Sequence, residues 1–172
     1  MKTAPTHQLG LIFALHPTAK GFGWVLFESP LSPIDWGIAS ARAGRSARLI
    51  ARFERLLKRY EPATLVLEAY EGRSGSRVDR IQKLCRNMQH LAACQSIETR
   101  IYERSAIRLC FAPTGATTRY EIALAIAQRI DAFSHRLPRE RARWMNEDPR
   151  QSLFDAAALA MTYFGLLSDT QP

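Results

Sequence analysis

Cysteine is scarce in this sequence, lysine is scarcer than the net charge would suggest, and long apolar runs are missing. The three cysteines, Cys85, Cys94 and Cys110, are odd in number and show no C-x-x-C spacing. A disulfide framework does not fit them, and they read as reduced residues of a cytoplasmic protein. No run of 18 apolar residues occurs, so no membrane span is expected. Met1 to Gly10 lacks the apolar segment and cleavage site of a secretory leader. Low-complexity segments, internal repeats and an interdomain linker are absent, and 47% apolar composition excludes disorder as the default. A length of 172 residues fits a single domain over 1–172, with its core from about residue 9 to 167.

The shortage of lysine gives the charge its meaning. The chain carries a formal +8, and twenty of its 24 basic residues are arginine. Arginine presents a planar fork that matches phosphate, whereas lysine is a hydrated point charge. Such a surface points to a polyanionic partner, most often nucleic acid. The alternative is a soluble basic protein from an arginine-rich proteome.

The apolar segments set out an α/β order. Leu9 to Leu15 reads as a central strand, His16 to Gly21 as a turn, and Phe22 to Glu28 and Ile34 to Ser40 as two further strands of a meander. Arg45 to Tyr60 has helical periodicity, with Ile50, Phe53, Leu56, Leu57 and Tyr60 on one side. Thr64-Leu65-Val66-Leu67-Glu68 is then a buried strand running straight into a carboxylate. A helix over about 77–96, a short strand at 99–103 and a connector through Pro113 follow. Thr118-x-x-Glu121 is a capping box that opens a helix to about Phe133. The charged stretch 134–148 is a loop or ragged helix, and Asp148-Pro149-x-Gln151 caps a last helix to about Leu167.

A meander followed by α-β-α-β makes a mixed five-stranded sheet of order 3-2-1-4-5, flanked by helices, with its switch point between strands one and four. An ionised Glu is too costly in mid-sheet, but at a strand's C-terminal end it can face a crevice. Glu68 and His16 end the two strands at that point, and Asp155 on the last helix can approach them. The competing reading pairs Glu68 with one of the many arginines.

In this order and spacing the chain resembles the RuvC-like Holliday junction endonucleases of the ribonuclease H-like superfamily. The pieces that carry the resemblance are Leu15-His16-Pro17 with Gly21-Phe22-Gly23, Tyr60-Glu61-Pro62 leading to Leu65-Val66-Leu67-Glu68, Gly115-Ala116-Thr117-Thr118-Arg119, and Phe154-Asp155-Ala156-Ala157-Ala158-Leu159-Ala160. Together they span about residues 9 to 165. The resemblance implies a metal-dependent endonuclease for branched or structured DNA, working as a homodimer. Its two divalent ions, Mg²⁺ or Mn²⁺, would be held by carboxylates, because hard cations want oxygen. Glu68 and Asp155 match two of the family's acids, and Arg119 matches its basic residue ahead of the penultimate helix.

Two positions depart from the family pattern. His16 stands where a metal-bridging Asp is expected, and Ser152 where an acid is expected three residues before Asp155. His16 is open to three readings: ligand for a softer metal, base for water, or mark of a lost site. Asp148 is either a substitute metal ligand or simply a helix cap.

Contacts to DNA have their own candidates. Arg73, Arg77 and Arg80 fall at i, i+4 and i+7, one stripe at the start of the second helix. Tyr70 either stacks on a base or caps the core. Arg139, Arg141 and Arg143 with Trp144 form an arginine cluster with one aromatic, read either as a DNA contact or as a solvated basic loop. Three functions follow: a metal-dependent nuclease using Glu68, Asp155 and His16; a catalytically silent binder of DNA structures; and a protein-interaction module with incidental charge.

Overall fold

The computed structural model describes residues 10–42, 45–70, 75–142 and 144–168, the last three of these as backbone only. Arg73 and Arg143 therefore lie outside the described residues. Five strands form one sheet: β1 (Ile12–Thr18), β2 (Gly21–Ser29), β3 (Ser32–Ser40), β4 (Thr64–Glu68) and β5 (Glu98–Tyr102). Its order is β3-β2-β1-β4-β5. The meander is antiparallel, while β1–β4 and β4–β5 are parallel, as expected from the helical crossovers.

The central strands alternate between two cores. Ile12, Ala14, Val25, Phe27 and Val66 face α3 (Arg104–Phe111), α4 (Arg119–Arg129) and α6 (Gln151–Ser168). Phe13, Leu15, Trp24, Leu26, Leu65 and Leu67 face α1 (Ser46–Tyr60) and α2 (Ser76–Cys94). Burial on both faces explains why β1 and β4 read as unbroken apolar runs.

Three expectations need correction. β1 does not end at Leu15 but pairs with β2 through His16↔Gly23, Pro17↔Phe22 and Thr18↔Gly21. Beyond Leu15↔Leu67 it has lost its β4 partner, and a proline is tolerated at such a one-sided strand end. His16 therefore sits in a strand, not in a turn. The connector after β5 is in fact helix α3, whose Ile107 and Phe111 bury one face. The helix after the capping box stops at Arg129, where Ile130 leaves helical dihedrals, and a separate turn, α5 (Asp131–Ser134), follows. That break lets Ile130 and Phe133 both enter the core.

The close approach of α6 to the sheet depends on Gly23. A β-carbon there would lie 2.5 Å from the Leu153 nitrogen and closer still to the Ser152 carbonyl. Backbone cannot swing aside as a side-chain tip can, so Gly23→Ala should destabilise the protein by roughly 3 kcal/mol. Denaturant unfolding with an unchanged m-value would measure it, and a loss below about 1 kcal/mol would mean α6 is free to shift.

Candidate functional site

Three elements bring polar side chains to the C-terminal end of β1 and β4. The strands deliver His16 and Glu68, and α6 delivers Asp155 on the turn after the Gly23 contact. All three are buried, Asp155 to 2% exposure. His16 lies between the carboxylates: Nδ1 is 3.2 Å from Glu68 Oε2, and Nε2 is 3.6 Å from Asp155 Oδ2. Two of the three candidates, His16 and Glu68, line one crevice of about 230 Å³, and Asp155 lies buried against His16 at its edge.

Two arginines complete it. Arg104, the first residue of α3, places Nη1 3.8 Å from Glu68 Oε2 and 3.7 Å from Asp155 Oδ1. Arg119, the first residue of α4, meets Asp155 with a fork: Nε donates to Oδ1 at 3.2 Å and Nη2 to Oδ2. Its other nitrogen pairs with Glu147. Gln151 Nε2 also donates to Asp155 Oδ1 at 3.3 Å and to the Arg119 carbonyl at 3.3 Å. The Thr118 capping box, closed by Glu121, fixes the start of α4 and so the direction of Arg119.

These contacts decide the protonation of the acids. Burial alone would push the pKa of Asp155 up, but His16, the Arg119 hydrogen bonds and charge, and Arg104 together hold it below the ordinary value. For Glu68 burial is again the largest effect and acts upward, and is outweighed by the His16 hydrogen bond and charge with help from Arg104. Both stay ionised at neutral pH, and Arg119 is held more firmly protonated than usual by Asp155 and Glu147.

The divalent ions that the family resemblance implies do not fit this arrangement. Among the described residues no group of three His, Cys, Asp or Glu side chains is disposed to hold a metal ion. Two buried carboxylates already face two guanidiniums and an imidazole. A doubly charged cation would enter a site whose negative charge is already answered.

Other candidates are dispersed. Asp148 is committed elsewhere: Oδ1 accepts the Arg150 N–H at 3.0 Å, and Arg150 Nη2 lies 2.6 Å from Oδ2. These contacts hold the turn just ahead of α6, and the Arg150 hydrogen bonds and charge lower the pKa of Asp148. Asp148→Ser should therefore leave both the melting temperature and DNA affinity unchanged, whereas Asp148→Ala should cost about 1 kcal/mol. A Ser variant that loses function while keeping its melting temperature would give this carboxylate a second role.

The Tyr70 ring is buried against Ile81 and Cys85, and its hydroxyl reaches toward His16 Nε2 at 3.5 Å and the Pro17 carbonyl at 3.4 Å. It offers no open face to a base. Arg77 lines the crevice, while Arg80, on the next turn of α2, lines a neighbouring cleft. Arg139 and Arg141 are exposed, and Trp144 is 87% exposed. Arg141 Nε donates to the Met145 carbonyl at 2.7 Å. Sequence reasoning missed Arg104, Glu147 and Gln151. Arg119 is singled out by the family resemblance, and none of the pieces that carry that resemblance includes Arg104.

With this geometry in place, the solved structures similar to this chain are informative. A Thermus thermophilus RuvC in complex with Holliday junction substrate aligns with a TM-score of 0.71 at 14% identity, over 93% of this chain and 96% of that one. The fold is that of RuvC. A second T. thermophilus RuvC structure matches with a TM-score of 0.66 at 16% identity, over 92% of this chain and 96% of that one. The fowlpox virus resolvase, solved with substrate Holliday junction DNA, matches at 0.51 and 11% identity, over 89% of this chain and 97% of that one. No protein-family model and no curated protein sequence matches the chain. The RuvC fold, with its switch point between β1 and β4, is therefore carried here by a sequence only 14–16% identical to those RuvC structures.

Proposed function

We propose that this protein acts on branched or structured DNA from the RuvC fold, holding a phosphodiester at the mouth of its arginine-lined crevice. The observation that carries this reading is the convergence of His16, Glu68 and Asp155 with Arg104 and Arg119 at the switch point. Similar folds are recorded with Holliday junctions at RuvC and at the fowlpox resolvase, which supports a four-way junction as the first substrate to test. Arg77 at the crevice and Trp144, exposed in its own basic loop, supply phosphate and base contacts of the kind single-stranded and branched DNA requires.

The action is recognition first. Because each buried carboxylate already faces an arginine, the native site is better suited to binding than to two-metal hydrolysis. Cleavage is the second reading, favoured by the two ionised carboxylates, Glu68 and Asp155, that the switch point brings within 3.2 and 3.6 Å of the His16 ring. Gel-shift titration with a four-way junction and a duplex of the same sequence, at several salt concentrations, tests the first reading. Tighter, salt-dependent junction binding is expected, and no DNA binding at low salt would sink it. Strand cleavage of the bound junction in Mg²⁺, Mn²⁺ or EDTA separates the two readings.

A further inference from the structure

A second and larger cleft, of about 1150 Å³, opens beside the crevice, between the β1–β2 turn, the end of β3, the start of α1 and the middle of α2. Its basic lining comes from Lys20, Arg42, Arg45, Arg48, Arg80 and Lys83, and among the described residues no Asp or Glu lines it. All six are exposed, and the ion pairs of the described residues use none of them. Six cations around one concavity repel each other, and nothing in the lining offsets that.

The start of α1 makes the arrangement costlier still. Its first turn contains no acid, its N-cap residue is Arg45 with no side-chain cap hydrogen bond, and Arg48 sits in the first turn. Cations at the positive end of a helix dipole, beside uncapped amides, oppose what a stable helix prefers. A bound anion reverses each of these penalties together.

The cleft is continuous with the crevice. Thr18 lines both, and Arg77 in the crevice and Arg80 in the cleft are neighbours on one face of α2. We propose that this cleft is a second nucleic-acid site, which takes the phosphate backbone of a DNA arm as it leaves the crevice. The proposal rests on the DNA-binding reading above and gives it a path. It assigns to Lys20, Arg42, Arg45 and Arg48 backbone contacts that carry no sequence information but fix the direction in which an arm departs.

The experiment compares the native protein with a Lys20→Ala, Arg42→Ala, Arg45→Ala, Arg48→Ala variant on a synthetic four-way DNA junction. The variant should melt at the same temperature or higher, since two of the removed charges oppose the α1 dipole. Its slope of log affinity against log salt should flatten by about three to four units, and its affinity near 0.1 M salt should fall by on the order of 100-fold or more. A variant that keeps Lys20 and changes only Arg42, Arg45 and Arg48 to lysine should keep the native slope, since the contacts depend on charge. If the quadruple variant does not fold, the pairs Lys20→Ala with Arg42→Ala and Arg45→Ala with Arg48→Ala should each flatten the slope by about two units. Native junction binding with an unaltered slope in the folded variants would overturn the cleft and leave the DNA-binding reading standing. A native protein that binds no DNA would overturn both.

Discussion

Replacing Arg119 by alanine should destabilise the protein by about 2 to 3 kcal/mol at neutral pH. Asp155 is almost fully buried, and Arg119 supplies a two-pronged contact to its carboxylate. Breaking a buried pair from one side costs about 3–5 kcal/mol because the remaining charge is stranded. The Arg119 side chain is 39% exposed, so water can take part of its place, and Arg104 remains, which puts the loss at the low end. The pH dependence follows from the lowered pKa of Asp155. A depressed carboxylate adds stability above its unfolded pKa, about 3.9, and loses it as pH falls through the folded value. The gap between wild type and Arg119→Ala should therefore be full at pH 6 to 7 and close in acid below about pH 4. Adding Asp155→Asn should recover much of the loss at neutral pH, because the stranded charge is gone. Thermal or denaturant unfolding across pH measures this, and a gap that persists in acid would show that Arg119 acts through packing instead.

His16→Asp should raise the affinity of the crevice for divalent ions. The His16 ring nitrogens lie within 3.2 and 3.6 Å of the Glu68 and Asp155 oxygens, so a carboxylate grown from the same strand position joins theirs. Three carboxylates against Arg104 and Arg119 leave a net negative charge, and oxygen donors suit Mg²⁺ where an imidazole does not. Calorimetric titration with Mg²⁺ and Mn²⁺ should show a gain of at least about tenfold over wild type, with junction cleavage created or increased. Ser152→Asp is the other step toward the family pattern, but it carries a packing cost. Ser152 is buried, donates to the Pro149 carbonyl at 2.7 Å, and has its backbone against Gly23. A folded His16→Asp protein with no gain in ion binding would mean that the arginines alone decide the crevice's chemistry.

The sheet was legible because its central strands are covered on both faces and leave continuous apolar runs at Ile12–Leu15, Phe22–Phe27 and Leu65–Leu67. Topology then followed from connection lengths, and the meeting of His16, Glu68 and Asp155 from topology. What filled the space between them was not legible. Arg104 opens a helix of only eight residues, too short for its period to stand out, and in a chain with twenty arginines nothing marks it from its neighbours. Glu147 belongs to a loop whose path is set by tertiary contacts such as its pairing with Arg119. The Arg73, Arg77 and Arg80 stripe was drawn by helical spacing, yet Arg77 and Arg80 serve different concavities. The basic cleft draws on residues from Lys20 to Lys83, and only the packing of α1 and α2 on one face of the sheet gathers them.

The account turns on how the charge of the crevice is balanced, by arginine and histidine from the chain itself or by divalent ions. Junction affinity measured at constant ionic strength, in EDTA and in Mg²⁺, tests this most directly. Native protein should bind a four-way junction equally well in both, since Arg104, Arg119 and His16 already face Glu68 and Asp155. A marked strengthening by Mg²⁺ at fixed ionic strength, abolished by Glu68→Gln, would contradict it and place a metal between those two carboxylates.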